Sequence, residues 1–179
     1  MKYLLIILVL MILISGNGQY YVSTDGRDSN PGTIDEPWRT PRRALNGANT
    51  GDTVYFRGGT YYSHSTNIPI PHNGTPEKPI CFFNYPDEIP VIDFSRHINE
   101  QEMIAGIDGN GSTYLKFRGI TIQGIKKIKD YQQVTGIMFV NAGVIYLEDM
   151  SSVGHDGTGF YLDCDTLYIN GCIGTKEIF

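Results

Sequence analysis

One segment, written nearly three times over, constrains this chain more than any other feature. Tyr114-Leu115-Lys116-Phe117-Arg118-Gly119-Ile120 recurs as Val144-Ile145-Tyr146-Leu147-Glu148-Asp149-Met150, and again as Thr166-Leu167-Tyr168-Ile169-Asn170-Gly171-Cys172. Between the copies, Thr135-Gly136-Ile137-Met138-Phe139 is echoed by Thr158-Gly159-Phe160-Tyr161-Leu162. Gly136 and Gly159 are 23 residues apart, Ile145 and Leu167 are 22 apart, and Leu115 and Ile145 are 30 apart. The excess in the longer interval falls in the polar run 126–133. A period in the low twenties, with apolar residues alternating inside it, signals a stacked solenoid, because a unit that short cannot bury its own apolar face. A leucine-rich repeat has a similar period but requires a recurring Leu frame with an Asn, which is absent. The segments here are short strands broken by Gly, Asn, Asp and Ser, with no helix inside the repeat. The pattern predicts an all-β, right-handed parallel β-helix.

The first residues read differently. Met1-Lys2-Tyr3 precedes an apolar run from Leu4 to Ile14, followed by Ser15-Gly16-Asn17-Gly18. One early cation, a short apolar core and small residues at Gly16 and Gly18 predict a signal peptide over residues 1–18. The run is shorter than the roughly 20 residues of a membrane-spanning helix. The expectation is a secreted, extracellular protein with no membrane anchor once the signal is removed, and a single β-helix domain over residues 19–179. A net charge of −5 does not favour nucleic acid as a partner. It also gives no long-range attraction for a polyanion, so any uronate site depends on local cations. Cys81, Cys164 and Cys172 are too few and scattered for a disulfide framework, and Cys172 stands where Met150 stands one repeat earlier. Asn73-Gly74-Thr75 and Asn110-Gly111-Ser112 fit glycosylation sequons and turns equally well.

Before the repeats, Tyr20–Ser23 reads as a strand leading into the turn-rich 24–32. Asp25, Asp28 and Asn30 there suit turn formation better than a calcium loop. One helix is predicted. Thr40 can N-cap it, Pro41 suits its first turn, and Pro41, Ala44, Leu45 and Ala48 form an apolar stripe ending before Gly51. An open solenoid end exposes core and unpaired strand edges, so this helix is expected to cap the N-terminal end, with Arg42 and Arg43 solvated. Strands follow at 52–57, 60–62, 80–83, 91–94 and 103–107. The sequence stops at Ile178-Phe179 directly after the third copy, which suggests the N-terminal portion of a longer β-helix.

These residues together resemble the secreted pectate lyases of polysaccharide lyase family nine. The resemblance is carried by Tyr20-Tyr21-Val22-Ser23-Thr24-Asp25-Gly26, Asn30-Pro31-Gly32-Thr33 and Pro37-Trp38-Arg39-Thr40. It continues through Gly51-Asp52-Thr53-Val54-Tyr55, Arg57-Gly58-Gly59-Thr60-Tyr61, and Pro90-Val91-Ile92-Asp93-Phe94. Phe117-Arg118-Gly119-Ile120 and Asp156-Gly157-Thr158-Gly159-Phe160 complete it, so nearly all of the chain after residue 18 is covered. The resemblance implies β-elimination on an acidic polysaccharide such as pectate, with Ca2+ held by clustered Asp residues and a Lys as base.

That constellation is not supplied in full. Where the family continues its third-copy rung with the first calcium Asp, this chain has Ile173. The local candidates are Asp163 and Asp165 for a metal, and Lys126, Lys127 and Lys129 for contact with a polyuronate. His155 is expected on the surface of the loop 154–157, and Tyr61, Tyr62 and Tyr131 are candidates for stacking on sugars. A lyase lacking its catalytic rungs, a non-catalytic carbohydrate-binding β-helix and a purely structural fragment all fit these residues.

Overall fold

A computed structural model describes residues 17–97 and 100–174. The predicted signal peptide lies almost wholly outside the described residues, as do the last five positions.

The described residues form three parallel ladders wound around one core. The first stacks β1 (Gln19–Val22), β2 (Thr53–Phe56), β5 (Ile80–Asn84) and β8 (Leu115–Arg118). The second stacks β3 (Gly59–Tyr62), β6 (Pro90–Asp93), β9 (Thr121–Gln123), β11 (Ser151–Val153) and β13 (Ile173–Gly174). The third begins with β4 (Ile68–Pro69) and β7 (Met103–Asp108). Two long strands, β10 (Gln133–Glu148) and β12 (Thr158–Asn170), run from the third ladder into the first: β10 pairs with β7 at one end and β8 at the other, and β12 pairs with β10. The sequence predicts separate short strands there. The corner is instead turned without a break: Asn141 takes φ +50°, and the β10–β12 register slips between Phe139 and Ala142. An extra residue on one strand of a pair bends it, which is what a corner requires.

The repeat alignment read from sequence is the structural register. Ile145 pairs with Leu115 on one side and Leu167 on the other, and Thr135 pairs with Thr158. Successive rungs therefore place like residues above one another. Val54, Phe82, Phe117 and Leu147 form one buried column, and Ile80, Leu115 and Ile145 another. Phe82 and Phe117 stack with centroids 4.9 Å apart, and Phe139 meets Phe117 edge-on at 6.1 Å. Corners between the first two ladders need a left-handed residue, supplied by Gly119 at φ +66° and Gly171 at φ +63°.

Helix α1 (Pro41–Gly47) forms as predicted. The Thr40 hydroxyl accepts the Arg43 N–H at 3.1 Å, and Pro41, Ala44 and Leu45 are buried. Arg42 and Arg43 are exposed, as expected, and each also meets a neighbour. Arg42 donates to Ser65 Oγ at 3.1 Å, and Arg43 lies 4.6 Å over the Trp38 ring. The acidic turn before the helix is also structural. Asp28 Oδ1 accepts the N–H groups of Arg39 and Thr40 at 3.0 and 2.9 Å, and Oδ2 accepts the Thr40 hydroxyl at 2.8 Å.

Candidate functional site

The three candidate lysines sit in the loop 124–132 between β9 and β10, all exposed. Lys126 Nζ lies 3.0 Å from Asp156 Oδ1, and Asp156 Oδ2 accepts the Lys127 N–H at 2.9 Å. The Lys127 N–H bond, followed by the Lys126 side chain, holds the Asp156 carboxyl below its ordinary value. Lys129 Nζ is 4.0 Å from Glu100 and 5.8 Å from the Tyr131 ring centroid. Surface pairs of this kind contribute only about 0–1 kcal/mol, so a polyanion can compete for these cations.

Asp163 and Asp165 are exposed on β12 beside its register slip, flanking Cys164. Burial, and then the two neighbouring carboxylates, push the Cys164 thiol up to about 11. Among the described residues, no cluster of three or more His, Cys, Asp or Glu side chains forms. Calcium takes about six to eight oxygens. The described residues do not by themselves fit a calcium site.

His155 overturns the expectation of a surface residue. It is buried, and its Nδ1 accepts the Ile125 N–H at 3.2 Å while Nε2 lies 3.1 Å from Ser152 Oγ. Ser152 occupies the inward column where Ile92 and Ile122 stand on lower rungs, and its hydroxyl donates to the Gly159 carbonyl at 2.7 Å. With Nδ1 accepting and the serine proton committed to Gly159, Nε2 must carry hydrogen and donate to Ser152. This His therefore cannot draw a proton from the serine, and the pair is a core polar network rather than a nucleophile with its base. Desolvation, then the charge of Lys126, lowers His155 to about 4. Gly136 makes room for the network, since a Cβ there would collide with Ser152 Oγ and His155 Nε2.

Tyr61 is likewise unavailable for sugars. It is buried, its hydroxyl reaches the Val22 and Arg57 carbonyls at 2.9 and 2.7 Å, and burial pushes its phenol up. Tyr62 and Tyr131 remain exposed.

Two concave surfaces stand out. On the outer face of the first ladder, a groove of about 540 Å3 is lined by Phe83, Lys116, Tyr146 and Tyr168 among others. Tyr146 and Tyr168 stack at 4.6 Å and 4°, Lys116 Nζ lies 4.7 Å over Tyr146, and Arg118 lies 4.3 Å over Phe83. Near α1, a cleft of about 510 Å3 is lined by Arg39, His64 and Arg96, with Thr24, Thr60 and Tyr62. Neither was foreseen, because each assembles residues from different rungs.

A family model described as Pel9A-like, right handed beta helix region, matches residues 20–175. The uncharacterized protein YwoF of Bacillus subtilis is 37% identical over 123 residues, which is 68% of this chain and 26% of that protein. Pectate lyase PEL9 of Emericella nidulans is 42% identical over 73 residues, 41% of this chain and 18% of that enzyme. Among solved structures, a rhamnogalacturonan lyase superposes with a TM-score of 0.68 at 22% identity, covering 79% of this chain and 37% of the lyase. The chain thus spans about a quarter or less of the length of these two curated relatives.

Proposed function

This chain belongs to the Pel9A-like right-handed β-helix family, and we propose that it is a secreted β-helix protein of the pectate-lyase type that binds acidic polysaccharide. The family match across nearly every described rung carries this reading. In it, Lys126, Lys127 and Lys129 contact the polyuronate backbone, and Tyr131 beside them offers an exposed ring. Asp163 and Asp165 provide two carboxylates toward a Ca2+ whose other oxygens come from the bound uronate or from residues outside those described. Elimination requires a base and a clustered carboxylate set, and among the described residues no cluster of three or more His, Cys, Asp or Glu side chains forms. The chain is a binding β-helix in isolation, with the outer-face groove of Lys116, Tyr146 and Tyr168 as additional sugar-compatible surface.

The test is electrophoresis of the purified chain through gels containing polygalacturonate or neutral galactan. Retardation by polygalacturonate alone is expected. It should weaken at high salt, because exposed charges are screened, and weaken in the Lys126→Ala/Lys127→Ala/Lys129→Ala variant. Equal mobility in both gels would sink the reading.

A further inference from the structure

The cleft near α1 is cationic in a chain of net charge −5, and among the described residues no Asp or Glu lines it. Arg39, His64 and Arg96 are all exposed on its wall. Backbone hydrogen bonds hold the segments that carry the two arginines. The Arg39 backbone is pinned by Asp28, whose carboxylate is already occupied by the Arg39 N–H and by the N–H and hydroxyl of Thr40. Arg96 follows a turn in which the Ser95 N–H donates to Asp93 Oδ1 at 2.7 Å, and its guanidinium lies 3.4 Å from the Tyr62 ring centroid. Asp93 is the acid nearest in effect. Burial opposes its ionisation, but hydrogen bonds from Ser95 and Gln123 and the charge of Arg96 keep it below its ordinary value. Both Asp93 oxygens are engaged, with Gln123 Nε2 at 2.8 Å on the second. Among the described residues no ion pair forms on Arg39 or Arg96.

Both guanidiniums line one cavity, and an anion held there can accept paired N–H···O bonds from such planar donors. The cleft volume lies within the roughly 300–1,000 Å3 of small-molecule sites. Thr24, Thr60 and His64 add the mixed donors and acceptors that sugar hydroxyls need. We propose that this cleft binds a carboxylated sugar, a uronate unit of an acidic oligosaccharide, with its carboxylate between Arg39 and Arg96. The choice of uronate over other anions rests on the polysaccharide reading above. The cleft is separate from the lysine loop and from Asp163 and Asp165.

Calorimetric titration of the full chain with trigalacturonate tests this, with galactotriose and inorganic phosphate as comparators. Saturable binding of trigalacturonate is expected, with no detectable binding of galactotriose. Arg39→Ala/Arg96→Ala should weaken it at least about tenfold, the scale of losing a charge-assisted bidentate contact. Arg39→Lys/Arg96→Lys keeps the charge but not the fork; it should weaken binding several-fold and serves as the test if the alanine variant misfolds. Unaltered affinity in the arginine variants overturns the assignment, and so does phosphate binding as tight as the trimer, which would mark a generic anion site. Retardation by polygalacturonate without trimer binding overturns the cleft and leaves the proposed function standing. Failure of both overturns both.

Discussion

Phe117→Ala should cost about 3–5 kcal/mol of stability, the range for truncating a buried phenylalanine. Phe117 is 1% exposed, stacks on Phe82 at 4.9 Å and meets Phe139 at 6.1 Å. Val54, Phe82 and Leu147 share its column, so the cavity opens between rungs that cannot collapse independently. A solenoid holds through nearest-neighbour interfaces, and a break in a middle rung uncouples the turns on either side. The urea transition should move to lower concentration and broaden. Tyr131→Ala, on the exposed loop, should stay within about 0.5 kcal/mol of the parent. A loss below about 1 kcal/mol for Phe117→Ala would mean that the phenylalanine column does not hold the rungs together.

Acid should loosen the fold in a window set by His155. Its folded value is lowered to about 4 from an ordinary 6.5, chiefly by burial. The unfolded chain therefore takes up this proton first. The contribution is fully present above about pH 6.5 and is lost as pH falls toward about 4. That interval corresponds to roughly 3 kcal/mol. Asp93, Glu88 and Asp156 are also lowered from carboxylate values, so their contributions fade at more acidic pH and leave the His155 window distinct. Protonation would put hydrogen on Nδ1, facing the Ile125 N–H, and break that bond. Urea midpoints at pH 7 and pH 4.5 should therefore differ far more in the parent than in His155→Asn. Equal slopes in the two proteins would remove His155 from the account.

The register was legible because it rests on repetition. Residues that recur at equal spacing must share a face, so Leu115, Ile145 and Leu167 announced their stacking before any coordinates. The cap was legible because Thr40, Pro41 and the stripe at Ala44 and Leu45 are local signals. His155 was not, since it lies in a turn rich in glycine and aspartate while its partner Ile125 comes from the rung below. One signal was present: carrying the register across rungs puts Ser152 in line with Ile92 and Ile122, and a serine in such a column needs a buried partner. Tyr61 misled for the same reason, its hydroxyl being satisfied by Val22 from an earlier rung. The cationic cleft is the clearest case, because Arg39 and Arg96 are distant in sequence and only the winding of the solenoid brings them to one wall.

On the proposed function, this chain binds acidic polysaccharide without carrying out elimination. Absorbance of the unsaturated product on polygalacturonate tests it most directly, using the purified chain with added calcium and again with chelator. No product is expected in either condition from a protein that circular dichroism shows to be β-rich and folded. Calcium-dependent product that chelator abolishes would contradict it, and would make Asp163 and Asp165 the first residues to substitute.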